Sequence, residues 1–533
     1  MVRSHEVLQQ LWRQGIVWLA AVVLIASAAL PQQTQSPAQS DPPAQSAPQG
    51  QSRPDARSNP PAQSPPGTKT APPEEQKPEH LVTDKEAKEL FRSVDKITKF
   101  ASKETKLPIR EQVKREMVNR DQVEVYIKKR MDEDEDVQRM QRSEAVLKKF
   151  GLLPRGFDMR SFFVSMLREQ VAGYYDPKTK TVNLLNWVEP SAQEPVLAHE
   201  LTHALQDQSF DLERWMKQGM TAEIKPVSVA DPDSSQRAQR KEDQKQESKD
   251  LKSENKDNAN EIQSDEQEAA RLAVVEGQAM LVLVDYMLAP TDQSVVDSPG
   301  VVDAIKQGMM VGDNSPMFNK APLYLKESLT FAYRYGLDFE KEVLLKKGKE
   351  AAFSGVFKHP PDTERQIMEP AAYLSDEHLP ALGIPDFDAS LGQKYDKFDI
   401  GSFGEFDVSV LIKQFGGAEA SGRLTPSWRG GYYYAVRRKG ESKGPLAVVY
   451  VSRWAAPEDA KEFAEIYSKS VNTRYKNAVP VKIPERLDIA DYVPVGFARI
   501  ATRVGEDTNT PMEWMTDEGR VTVERHGDLV LAM

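Results

Sequence analysis

The chain has 533 residues, of which 28% are charged and 39% hydrophobic, and a formal net charge of −11. That length points to two or three domains once polar tracts are set aside, and the acidic balance leaves no broad basic surface, which argues against nucleic acid as a partner. Cysteine is absent, which removes disulfides, thiolate ligands and a cysteine nucleophile, so any metal must be held by His and carboxylate.

At the N-terminus Arg3 and Arg13 precede an apolar run over residues 16–30, and Ala26-Ser27-Ala28 offers a small-x-small cleavage site. Residues 1–30 read as a signal peptide or as an uncleaved membrane anchor, the run being short for a spanning helix. Both readings place the rest of the chain outside the cytoplasm, in a periplasm, secreted or tethered to a membrane. Residues 31–80 are dominated by Pro, Gln, Ser and Ala, a composition that buries too little apolar surface to offset the entropy of ordering and reads as a linker. Residues 83–150 are charged and helical in pattern, with Leu90, Val94, Ile97 and Phe100 at spacings of three or four. The acidic run at 132–136 is a solvated helix face, since no calcium-type loop with Gly accompanies it. Gly151 to Pro154 closes the last of these helices.

Residues 170–185 then read as a hairpin, with Asp176-Pro177 at the turn and alternation over 181–185. It serves either as a structural hairpin or as an edge strand that holds an extended peptide by main-chain hydrogen bonds. Directly after it stands His199-Glu200-Leu201-Thr202-His203, inside a run that is uncharged outside the motif from Val196 to Gln206. On a helix this spacing sets two imidazoles one turn apart with a carboxylate beside them, the outline of a zinc-protease site.

Residues 231–265 are almost wholly polar and charged and read as a solvated insertion. Residues 269–288 are apolar nearly throughout, which predicts a helix buried on all sides in preference to a membrane span, because charged residues interrupt it. Glu276 lies in its middle, where an unpaired carboxylate costs several kcal/mol, so it needs a partner. A metal ion held by the two histidines fits that need, with Arg271 as the alternative partner and Glu268 as the competing ligand. Asp285 reads as structural or as a residue behind the ligands.

On these residues the chain resembles the gluzincin type of zincin metallopeptidase, in which the two histidines of His-Glu-x-x-His and a Glu from a later helix bind zinc. More narrowly it is similar to a bacterial and archaeal group of extracytoplasmic metallopeptidase-like proteins. The shared features are a His-Glu-Leu-Thr-His-Ala-Leu-Gln-Asp-Gln helix (His199 to Gln208), a Gly-Tyr-Tyr-Asp-Pro hairpin (Gly173 to Pro177) and a Glu-Gly-x-Ala helix (Glu276 to Ala279). Residues 331–336 and 360–364 fit more loosely, the group having Pro where Ala332 stands and His where Glu369 stands. The likeness covers roughly residues 148–370. It implies an α+β fold, with a mostly helical zincin-like domain at 81–370 carrying a small antiparallel sheet, and Zn²⁺ on His199, His203 and Glu276.

The residue types then assign roles. Two neutral imidazoles and a carboxylate fill three tetrahedral positions and leave one for water. Glu200 faces the open side as general base. Tyr333 is the candidate oxyanion donor, with Tyr174 or Tyr175 behind it, and Asp207 either orients a ligand imidazole or caps a helix. Residues 371–533 read as a smaller α+β domain with an antiparallel sheet and no catalytic constellation: strands near 430–436 and 446–451, a helix from 457, and a hairpin turned at His526-Gly527-Asp528. The function expected is an exported zinc metallopeptidase acting on proteins or peptides. The contrasting expectation is a non-catalytic envelope scaffold that retains the fold. Intact Glu200 favours the enzyme, and the oligomeric state is open.

Overall fold

The computed structural model describes residues 81–533 apart from 132–133, 171–172, 219–246, 312–315, most of 381–390 and 482–510. The expected signal or anchor at 1–30, the linker at 31–80 and residues 231–246 of the charged insertion lie outside the described residues.

Helix α1 (Asp84–Thr105) opens with a capping box: the Thr83 hydroxyl accepts the Glu86 amide and the Glu86 carboxylate returns to the Thr83 amide. Its apolar stripe, Leu90, Val94, Ile97 and Ala101, is buried. The expectation of helix throughout residues 83–150 is corrected here. A strand, β1 (Lys114–Val118), intervenes before α2 (Arg120–Met131) and α3 (Asp134–Phe150). Three of its five residues, Lys114, Arg115 and Glu116, are charged and give no apolar alternation, so its strand state comes from pairing with a distant partner. Gly151, at φ +74°, ends α3 as expected.

After α4 (Met159–Gln170) comes the expected hairpin, β2 (Tyr174–Asp176) and β3 (Thr181–Leu185), with Tyr175 opposite Val182. Strand β1 joins β3 in parallel, Lys114 opposite Thr181, so the order is β1-β3-β2 and the small sheet is mixed, not purely antiparallel. Helix α5 (Pro190–Phe210) starts with Pro at its first position, where no amide hydrogen is needed. The Gln193 carboxamide imitates a strand for Leu185, accepting from its N–H and donating to its C=O, both at 2.9 Å. This fixes the helix against the sheet before the histidine motif begins.

Helix α6 (Glu247–Leu288) is buried at every position from 266 to 284. The 26-residue segment Glu266–Thr291, which runs from this helix into the turn after it, is long and apolar enough to cross a membrane, yet most of it is enclosed by protein, as expected of a core helix. Residues 247–265, read as solvated insertion, continue as the first turns of this helix. Helix α7 (Leu323–Lys347) crosses α6 backbone against backbone. A Cβ added to Gly277 would stand 2.2 Å from the Gly336 carbonyl oxygen, and one added to Gly336 would stand 2.2 Å from that of Ala273.

The remaining chain forms a seven-stranded antiparallel sheet, β4 (Tyr395–Ser402), β5 (Trp428–Arg438), β6 (Ala447–Trp454), β7 (Val479–Pro480), β8 (Met512–Thr516), β9 (Gly519–His526) and β10 (Leu529–Ala532), in the order β4-β5-β6-β10-β9-β8-β7. Helices α8 (Glu405–Gly416) and α9 (Pro457–Arg474) accompany it. The expected strand pair, helix and closing hairpin are all present, the last with Leu529 opposite His526 around Gly527 at φ +58°. Side chains alternate between faces as strand geometry requires. Tyr433, Tyr450 and Val530 join the main core with Phe406 and Phe463, whereas Tyr432, Tyr434, Val449, Val451 and Leu531 form a separate cluster with Phe387. The main core runs without a break into the helical half, where Phe150 stacks on Phe403 at 4.2 Å and meets Tyr450 edge-on at 5.4 Å. The α+β class is thus observed.

In a helix interior Gly→Ala ordinarily stabilises by about 1 kcal/mol. At Gly336 the sign should reverse: Gly336→Ala lowers stability by about 1–3 kcal/mol because the added methyl overpacks the crossing. Urea denaturation of the variant reads this directly, and a raised midpoint would contradict the close approach.

Candidate metal centre

Helix α5 carries His199 and His203 one turn apart, with ring centroids 4.6 Å apart at 84°. Helix α6 brings Glu276 to the same point. Glu276 Oε2 lies 3.2 Å from His199 Nε2 and 3.6 Å from His203 Nε2, and the two Nε2 atoms are 3.0 Å apart. Two donors bound at 2.0–2.1 Å to a tetrahedral zinc stand about 3.3 Å apart, a value these separations bracket. All three residues are fully buried, and neither Glu276 oxygen accepts a well-formed hydrogen bond. Among the described residues this is the one group of three or more His or carboxylate side chains whose donors converge within 4.8 Å. The donor set therefore fits a cation that prefers nitrogen and oxygen.

The electrostatics agree. Burial, with His199 alongside, pulls His203 down from 6.5 to about 4, so it is a neutral imidazole at pH 7, the form that binds metals. Burial alone would raise the Glu276 carboxyl, yet the His203 and His199 imidazoles outweigh it and draw the group down to about 2. At neutral pH a buried carboxylate faces a neutral His203, an arrangement short of positive charge.

The alternatives left open by the sequence are resolved by position. Arg271 does not pair with Glu276: its guanidinium donates to the Trp215 carbonyl at 2.9 Å and lies over the Trp215 ring. Glu268, eight residues before Glu276 on the same helix, is not among the converging donors. Asp285 accepts the Val295 amide at 2.7 Å, a structural role. Asp207 does not contact either histidine in the observed bonding. It accepts the Leu212 amide at 3.1 Å, ending α5, and takes the Tyr175 hydroxyl and the Lys180 ammonium, tying the hairpin to the helix.

One residue that fixes the orientation of His203 is not evident from the sequence, Gln206. Its Oε1 lies 2.8 Å from His203 Nδ1, while its Nε2 donates to the Val275 carbonyl at 3.1 Å and to Gln278 Oε1 at 2.9 Å. Gln206 thus joins His203 to the helix that carries Glu276. The available signal was position: Gln206 is three residues beyond His203 and so shares its helix face.

Glu200 sits beside the donors, fully buried. Its Oε2 accepts the Tyr175 amide at 2.8 Å and its Oε1 has no donor. Burial pushes this carboxyl well above the ordinary range, the Tyr175 amide opposes that, and the Glu276 charge adds to it. Tyr333 of α7 stacks on His199 with centroids 6.2 Å apart at 26°. Burial, Glu276 and Glu200 drive its hydroxyl far above 10, so it stays protonated. The other tyrosines are engaged elsewhere, Tyr175 with Asp207 and Tyr174 against the Tyr126 ring.

Metal-free protein should lose stability on acidification through this site. Unfolded His203 takes its proton near 6.5 and folded His203 near 4, so between these values the unfolded chain binds more protons and stability rises with pH. Urea midpoints at pH 4.5 and 7 should differ less in His203→Gln than in the parent protein, and an unchanged difference would remove His203 as a cause.

Residues 394–532, which span the seven-stranded sheet, match a domain of unknown function (DUF8575). No curated protein and no solved structure matches the chain.

Proposed function

We propose that the protein is a zinc-dependent metallopeptidase of zincin-like fold, with His199, His203 and Glu276 holding the metal, Glu200 as general base and Tyr333 as oxyanion donor. The observation that carries this reading is the convergence of three buried donors from two helices on one point, with a fourth buried carboxylate, Glu200, beside them. A metal site that only braces the fold has no use for Glu200.

Bound zinc would supply Lewis acidity, polarising a carbonyl and lowering the pKa of water toward about 7. The rest falls to the protein's own side chains. Glu200 Oε1, which has no donor, would take a proton from water and return it to the leaving amine. That role needs the ionised carboxylate, and a cation beside it counters the rise caused by burial. The Tyr333 hydroxyl, kept protonated, is a donor for negative charge developing on the substrate carbonyl. Gln206, by accepting from His203 Nδ1, leaves the Nε2 lone pair toward the metal. Strand β2 is at an edge of its sheet, and the Tyr175 amide faces Glu200. An incoming peptide strand and Glu200 would compete for that amide. We further infer a location outside the cytoplasm from the apolar run at residues 16–30.

One observation favours the scaffold reading: His199, Glu200, His203 and Glu276 are all at 0% exposure. A closed site of this kind also suits a metal that only holds α5 and α6 together. The two readings separate on Glu200. Elemental analysis of the purified protein should find about one zinc per chain, lost in Glu276→Ala and kept in Glu200→Gln. Cleavage of unfolded protein substrates should fall by about 10²–10⁴-fold in Glu200→Gln. Zinc without any Glu200-dependent cleavage supports the scaffold, and a zinc-free parent protein removes both.

A further inference from the structure

Glu340 lies on α7 seven residues beyond Tyr333 and four beyond Gly336, on the face that meets α6. It is fully buried and neither carboxyl oxygen has a hydrogen-bond donor in proper geometry. The polar group acting on it against burial is the Gln278 carboxamide. A buried carboxyl with no cation is costly, and a methionine or leucine would fill the space at lower cost. Its presence therefore asks for a reason outside packing.

The hydrogen bonds running from it to the metal centre have a direction. Gln278 donates through Nε2 to the Ala352 carbonyl at 2.7 Å and accepts at Oε1 from Gln206 Nε2 at 2.9 Å. Gln206 in turn places its Oε1 2.8 Å from His203 Nδ1. Each carboxamide has one oxygen end and one nitrogen end, so the orientation of the first fixes that of the next. If Gln278 were reversed, its nitrogen would face Gln206 Nε2, donor against donor. Gln206 could relieve that clash only by reversing too, giving up its bond to the Val275 carbonyl and presenting its nitrogen to His203 Nδ1. The neutral imidazole would answer by carrying its proton on Nε2, the atom that must bind metal.

We propose that Glu340 is a positioning residue: buried beside the nitrogen end of Gln278 that the Ala352 carbonyl holds, it disfavours reversal of Gln278 and so reinforces the polarity of the chain Gln278–Gln206–His203, which the Val275 carbonyl also anchors, keeping His203 in the Nδ1–H form. This deepens the metal-site reading and rests on it. It differs from a packing role because it predicts opposite effects on stability and on metal binding.

The test uses the purified full chain with Glu340→Met and Glu340→Gln. Two-bond ¹H–¹⁵N spectra of the metal-free protein at pH 7.5 read the His203 tautomer without any metal. The parent protein should show His203 protonated at Nδ1 alone, Glu340→Met a mixture of the two forms, and Glu340→Gln the parent pattern, since a carboxamide oxygen can take the place of the carboxyl oxygen. In competition with a chelator, Glu340→Met should bind Zn²⁺ about 10- to 100-fold more weakly while its metal-free urea midpoint is unchanged or raised. In a Gln206→Leu background the Glu340→Met change should have no further effect on zinc affinity. Parent-like tautomer and affinity in Glu340→Met overturn this inference and leave the metal site intact. If the parent protein takes up no zinc, the metal site falls, and the tautomer spectra still decide the polar chain. Should Glu340→Met not fold, a loss of Nδ1–H purity in Gln278→Leu supports the chain, and its retention there overturns it.

Discussion

The contact on which the centre depends is the crossing of two backbones at Gly277 and Gly336. With no side chain between them, α6 and α7 approach to a distance that any Cβ at either position would prevent. Glu276 is adjacent to one glycine and Tyr333 is one turn from the other, so the crossing sets both against the histidine helix at once. Gln278 and Glu340 stand on either side of the same contact. The site is therefore less a feature of the His-Glu-x-x-His helix than of where two other helices touch beside it.

That arrangement gathers four ionisable groups, all at 0% exposure, away from bulk solvent. The fold handles them unequally: His203 is kept neutral, Glu200 is pushed toward its acid form, and Glu276 remains a carboxylate. Desolvated charge costs several kcal/mol per ion unless compensated. A cation bound between the imidazoles and Glu276, as proposed, would compensate the one charge that persists and would ease ionisation of Glu200. On the proposed reading, metal affinity and the ionisation of Glu200 would be coupled through one local field.

Much of this was legible in the sequence where a local pattern suffices. The histidine pair follows from four-residue spacing, Glu276 from a charge in an apolar run, the hairpin from Asp176-Pro177, and the C-terminal strands from alternation. What escaped notice depends on partners distant in the chain. Strand β1 has charged side chains and is a strand only because β3 lies alongside. Gln206 is one of several polar residues after the motif, and nothing local distinguishes it from Asp207; the three-dimensional position of Val275 and Gln278 does. Gly336 reads as an unfavourable residue within a helix until the second helix is placed against it. The continuity of the core, Phe150 on Phe403 and Tyr450, likewise joins segments some 250 to 300 residues apart.

The strand order of the large sheet has a bearing on how the molecule is made. Strands β4, β5 and β6 are sequential neighbours, and β7 to β10 form a second run of sequential neighbours, so each half can zip from contacts close in the chain. The seam is β6 with β10, where Arg453 faces Leu529 and Tyr450 faces Ala532. Everything from α9 to the last hairpin must be looped out before that pairing forms, and closing so long a loop is a slow event in β-rich folds. Until it forms, two hydrogen-bonding edges stand open, each a template for another chain. Pairing of β6 with β10 closes both of these edges at once.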